Sequence, residues 1–214
     1  MRGGRTGGSS QQLIRAHAVR SEPETELIDG VRVTTLARTL ADVASGSSFL
    51  VGVTMLDHAL RMRAVTREEV SRQLGAAAPR YGMRGALATI EFSDGRSGSV
   101  GESLSRVRVF QLGFEAPELQ VEVKVGSRRF EVDFGWEGIR RFGEFDGAVK
   151  YTRSAELSGR RVEDVVTEEK VREDLIREAT DRRFTRWLWR EALDARHFDR
   201  RLTEAGVPRV RRTR

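Results

Sequence analysis

Residues 129–147 read RFEVDFGWEGIRRFGEFDG. From Arg129 to Gly135, apolar and polar residues alternate: Phe130, Val132 and Phe134 on one phase, Glu131 and Asp133 on the other. A period of two predicts a strand with the large apolar side chains on one face and the acids on the opposite one. Asp favours turns and caps, so an Asp133 flanked by Val132 and Phe134 in mid-strand asks for a reason beyond local propensity. A further strand is expected over 139–146, carrying Glu144 and, two residues on and therefore on the same face, Asp146. Pairing of the two strands as neighbours would bring Asp133 and Glu144 together on one side of the sheet. Like charges at close range need a counter-charge. A hard divalent cation with oxygen ligands, Mg²⁺ or Mn²⁺, supplies one and promotes attack of water on a phosphodiester. Lys150, just past the strand, is placed to contact the phosphate or the attacking water. The competing explanation is a solvated sheet face with scattered acids.

Working outward, Leu119–Val125 is expected as a strand joined to 129–135 by a two-residue turn at Gly126-Ser127. Ser99 caps a helix with Val100, Leu104, Val107 and Phe110 inward, and Gly113 ends it. On the C-terminal side a long helix spans Val162–Thr180, with Val166, Leu175, Ile176 and Ala179 available for packing. A short strand, Phe184–Trp189, and a helix to Leu202 follow. The order is αβββαβ with a mixed sheet, in an α+β or α/β class.

Upstream, the signals are helical. Asp29-Gly30 followed by Val31–Thr34 marks a hairpin. Thr34 or Thr35 caps a helix through Leu36, Leu40 and Val43. A second helix covers 49–61, with Leu56, Ala59 and Leu60 on one face. Thr66-Arg-Glu-Glu69 is a capping-box signature for a third, and 83–92 is a fourth. The polar, glycine-bearing segment 93–98 is the expected boundary. The organisation expected is a Gly/Ser-rich disordered tail over 1–12, a mainly helical domain over 13–97, the αβββαβ domain over 98–205 and a basic tail over 206–214.

The net charge is +6 with 38 Lys and Arg, and no cysteine is present, which excludes thiolate metal sites and a Cys nucleophile. Basic residues gather at the ends, as Arg2, Arg5, Arg15 and Arg20, then Arg196, Arg200, Arg201, Arg209, Arg211, Arg212 and Arg214. Such segments attract polyanions through counterion release, or merely solubilise the chain. Only three basic residues are lysines, Lys124, Lys150 and Lys170. No apolar run reaches the roughly 20 residues of a membrane span. With no signal-like apolar core, a cytoplasmic location is expected. His17, His58 and His197 show no ligand spacing for zinc. Trp187 and Trp189 suit sheet packing or stacking on bases.

Val132-Asp-Phe134, Gly143-Glu-Phe-Asp-Gly147 and Lys150-Tyr151 together resemble the Asp…Glu-x-Asp-Gly-x-x-His pattern of the very-short-patch-repair-like branch of the PD-(D/E)XK nuclease superfamily. The resemblance covers roughly residues 98–193. It implies a restriction-endonuclease-like fold and DNA cleavage with Mg²⁺ or Mn²⁺. It also implies metal binding by Asp133 and Glu144, with catalytic support from Glu102, Gln120 and Lys150. Asp146, Lys170 and Arg172 are further candidates, the last two because Glu169-Lys170-x-Arg172 resembles the basic positions of the following helix. Asp146 stands where the superfamily often has Lys, and Lys150 where this branch often has His. Each residue also has a structural explanation: Glu102 three residues after Ser99 completes a capping box, Gln120 suits a solvent-facing strand position, and Lys170 and Arg172 suit a solvated helix face.

The N-terminal half resembles AbiEi-type antitoxin-like proteins in Gly30-Val-Arg-Val-Thr34, Ala37-Arg-Thr-Leu40 and Asp42. Those proteins usually carry a winged helix before this stretch, and only about thirty residues precede it here, so a shortened member is expected. That resemblance implies a second possibility: a non-catalytic DNA-binding regulator with a toxin partner, using the nuclease fold as scaffold.

Overall fold

A computed structural model describes residues 10–11, 14–15, 22–78, 81–147 and 162–210. Lys150, Tyr151, the packing of Val166 and most of the N-terminal tail lie outside these residues. Strand β1 (Ser10–Gln11), within the segment expected as a tail, pairs with β2 (Ile14–Arg15) just beyond it. The chain divides into two compact units, Met1–Asp94 and Gly95–Arg214. The division falls in the segment expected as the boundary, although Ser93 and Ser97 within it are buried.

The first unit is a hairpin and four helices. β3 (Thr25–Ile28) and β4 (Val31–Thr34) pair antiparallel, with Asp29 and Gly30 at positive φ in the turn. Helices α1 (Leu36–Gly46), α2 (Phe49–Arg61), α3 (Arg67–Ala77) and α4 (Met83–Phe92) follow. Thr35 caps α1, Ser48 caps α2, and Thr66 with Glu69 closes the expected capping box on α3. Leu40, Leu56, Val70, Leu74 and Ile90 meet in one core. Arg38, only 3% exposed, is paired with Asp42 at 3.0 Å. Two residues of the antitoxin-like stretch are therefore tied to each other.

The second unit is α+β. Its described elements are α5 (Val100–Gln111), β5 (Glu118–Val125), β6 (Arg128–Trp136), a short 3₁₀ turn, β7 (Arg141–Phe145), α6 (Val162–Thr180), β8 (Arg183–Trp187), α7 (Trp189–Leu193) and α8 (Ala195–Glu204). The sheet order is β5-β6-β7-β8. The first three strands are antiparallel, and β8 runs parallel to β7. A parallel pair needs a crossover, and α6 lies between the two strands in sequence.

Several expectations are corrected. The C-terminal helix is two helices, because Asp194 caps α8. Val100 and Phe110 are 55% and 58% exposed, whereas Leu104 and Val107 are buried as expected, joined by Val109. Residues 206–210 are no free tail: Val207 is buried, and Arg209 pairs with Asp199 at 2.7 Å above the Phe114 ring.

The strict alternation of β6 also fails. Phe130 and Val132 pack with Phe142 and with Ile176 of α6, whereas Phe134 stacks on Trp187 at 5.4 Å. Trp187 donates from Nε1 to Ser105 Oγ of α5 at 2.8 Å and meets Phe198 of α8. Phe134 has thus changed faces relative to Val132. The cause lies across the ladder. The register runs Leu119↔Phe134 and Val121↔Val132, and Gln120 between them has φ +51°. A left-handed residue turns the strand, so the neighbours on its two sides face opposite layers. Both faces of the sheet are consequently apolar, one under α6 and the other under α5, α7 and α8.

Candidate functional site

The candidate residues lie along the sheet near the twist at Gln120. β6 and β7 pair as Trp136↔Arg141, Gly135↔Phe142 and Phe134↔Gly143. One step further along that register sets Asp133 opposite Glu144, and the β5–β6 register sets Gln120 opposite Asp133. On the far side Glu144 pairs with Arg186 of β8. Gln120, Asp133, Glu144 and Arg186 thus occupy neighbouring backbone positions on the four strands, with Gln120 turned to Glu102 of α5 and Glu144 to Arg172 of α6.

Asp133 is half-buried, and its Oδ2 accepts from the backbone N–H of Phe145 at 2.9 Å. The carboxylate takes up a strand N–H at the point where the regular β6–β7 ladder ends, which accounts for an acid in a strand interior. Glu144 is 8% exposed. Its Oε1 accepts from Arg172 Nη1 at 2.8 Å, and its Oε2 lies 2.8 Å from Arg186 Nη2. Burial pushes the Glu144 carboxyl above the ordinary glutamate range, against the opposing pull of Arg172 and Arg186. Burial alone would lower the Arg172 guanidinium, but Glu144 and Glu169 hold it above its usual value. Glu169 joins the cluster at 2.7 Å from Arg172 and 2.8 Å from Arg186, and Glu173 lies 3.1 Å from Arg186. Arg172 also donates to the Glu131 carbonyl. Arg172 is thus an integral part of the site, not a solvated helix residue.

Glu102, 3% exposed, approaches from α5. It accepts from Ser99 Oγ at 2.8 Å and from the Gly98 N–H at 2.6 Å. Ser99 Oγ lies 3.2 Å from the Glu102 N–H and caps the helix. Only the Ser99 half of the expected capping box is present, because the Glu102 carboxylate takes the Gly98 N–H in place of the Ser99 N–H, and it also accepts from Gln120 Nε2 at 2.7 Å. Glu102 therefore reaches the sheet through Gln120.

Asp146 is half-buried, and its N–H bonds the Trp187 carbonyl at 2.9 Å, closing the β7–β8 edge. Lys170 is exposed on α6, and Lys150 lies outside the described residues. Trp187 is core, as packing predicts, and Trp189 meets Phe145 edge-on at 4.8 Å. Sequence reasoning missed Arg186, Glu169 and Glu173. The signal for Arg186 was available: it is a charge between Phe184 and Trp187 in a short strand, the same anomaly that singled out Asp133.

Asp133 and Glu144 offer only carboxylate oxygens, a donor set that suits a hard divalent cation. Two guanidinium groups now satisfy the charge of Glu144. Among the described residues no group of three or more His, Asp or Glu side chains is arranged to hold a metal ion. No helix among them is long and apolar enough to cross a membrane.

No family model matches the chain, and no solved structure matches it. It is 29% identical over 131 residues to uncharacterized proteins of Mycobacterium tuberculosis from strains CDC 1551 / Oshkosh and H37Rv. The matched stretch covers 61% of this chain, which spans about half, 48%, of the relatives' length.

Proposed function

We propose that the second unit is a metal-dependent endonuclease that hydrolyses DNA phosphodiester bonds, in defence or repair. The observation that carries this reading is that Asp133 and Glu144 stand on adjacent strands, one residue beyond the paired Phe134 and Gly143, with Gln120, bonded to Glu102 at 2.7 Å, on the next strand. Asp133 and Glu144 would hold Mg²⁺ or Mn²⁺. Such an ion supplies Lewis acidity toward a phosphodiester. The remaining work falls to the chain itself. Glu102, fixed by Ser99 and Gly98, orients the Gln120 amide, which directs a water toward the carboxylates. Arg172 and Arg186 keep the Glu144 carboxylate in place and supply positive charge beside it. Lys150 is assigned to the phosphate or the nucleophile from its position in sequence.

The test is conversion of supercoiled plasmid to nicked circle with Mg²⁺, with Mn²⁺ and with chelator. The expected result is metal-dependent nicking that Asp133→Asn and Glu144→Gln abolish. An unchanged rate in either variant would refute the assignment.

A second reading has an observation of its own. Both oxygens of Glu144 are already engaged by arginines, as suits a DNA-binding regulator that keeps the fold without cleaving, with a toxin as its protein partner. It predicts DNA binding without nicking under any metal condition.

A further inference from the structure

Away from Asp133 and Glu144, at the N-terminal ends of β7 and β8 and the C-terminal end of α6, lies a recess lined by Arg140, Arg141, Arg177, Arg182 and Arg183 with Asp181. Three of these arginines have carboxylate partners: Arg140 with Asp181, Arg177 with Glu173 and Arg182 with Glu137. Among the described residues the other two have none. Arg141 and Arg183 stand opposite each other in the parallel pair. Among the described residues, the Arg141 side chain bonds only the Thr185 hydroxyl, at 3.4 Å. Its Nε is buried without a hydrogen-bond partner. Arg183 is exposed and has no carboxylate partner among the described residues. Burial, then the neighbouring Arg183, depresses the Arg141 guanidinium below its usual value.

Two surplus guanidinium groups side by side repel, and an anion between them relieves that cost. The guanidinium fork matches a phosphate in two-point geometry. Aromatic rings hold the flanking arginines: Arg182 lies 4.9 Å from the Phe142 centroid and Arg177 lies 5.9 Å from that of Phe184. Arg141 stands three residues before Glu144 on the same strand, an odd spacing that turns the two side chains to opposite faces of the sheet, so the recess is a site separate from the carboxylates.

We propose that this recess, centred on Arg141 and Arg183, is a docking site for the phosphate backbone of nucleic acid. The choice of nucleic acid as the polyanion rests on the hydrolase reading above.

The experiment measures binding of the full chain to a short fluorescein-labelled DNA duplex in chelator over a range of salt, so that cleavage plays no part. Failure here is therefore distinguishable from failure of the plasmid assay. Arg183→Gln and Arg141→Gln should each weaken binding about fivefold, whatever the duplex sequence, and lower the salt slope by about one. Arg183→Glu should weaken it further. Arg183 is exposed, so its variants should melt at the wild-type temperature. Unchanged affinity and slope in both Arg183 variants would overturn the proposal. So would absence of duplex binding by the wild type at low salt, or vesicles of phosphatidylserine in phosphatidylcholine competing as well as unlabelled duplex.

Discussion

Glu144 is a buried carboxylate whose ionisation burial opposes and two arginines support, and burial prevails. Its folded-state pKa is raised, so its contribution to stability is fully present below the ordinary glutamate range and is lost as pH rises through the raised value. Relative to Glu144→Gln, the wild type should therefore gain stability as pH falls from neutral toward 4.5, the ordinary glutamate pKa. Urea midpoints of both proteins at the two ends of that range check this, and a constant difference would contradict it. Removing one cation has a different effect. Arg186→Met leaves Glu144 with a single partner and should cost about 1–3 kcal/mol, less than a fully buried pair because Arg186 is part exposed. Chemical denaturation measures that loss. At this scale the acids were legible because Asp and Glu are rare between large apolar strand residues. Their partners were less so: the motif resemblance singled out Arg172, but Arg186, Glu169 and Glu173 join the cluster only through the fold.

The elements were readable wherever a local signal fixes them. Thr35, Thr66 and Ser99 cap helices because their hydroxyls accept from backbone N–H groups three residues on, a relation contained in the sequence itself. The twist of β5 and β6 was not readable, because it comes from one residue, Gln120, adopting positive φ in a segment that alternates normally. That backbone tolerates glycine and strains a β-branched residue, so Gln120→Val should be about 2 kcal/mol less stable than Gln120→Gly. Equal unfolding midpoints would argue against the strained twist. The close approach of strand and tryptophan gives a second prediction. A Cβ added at Gly143 would lie 2.6 Å from the Trp187 ring and 2.9 Å from that of Trp136. Gly143→Ala should cost about 1–3 kcal/mol by overpacking, read as a lowered melting temperature.

On the scale of the molecule, the α+β class of the second unit follows from periodicity, and the structure bears it out. The C-terminal arginines were less legible. Arg209 looked like tail charge but is spent on Asp199 and the Phe114 ring. The unneutralised pair, Arg141 and Arg183, comes together only through the parallel β7–β8 register, which joins residues far apart in sequence. What the whole arrangement is for turns on whether Asp133 and Glu144 act as one ligand pair once the arginines yield. Titration of Mn²⁺ into the full chain, followed by the electron paramagnetic resonance of the free ion, measures this directly. The account predicts saturable Mn²⁺ binding that Asp133→Asn and Glu144→Gln each abolish while leaving the melting cooperative. Absence of saturable binding in the wild type, or undiminished binding in both variants, would contradict it.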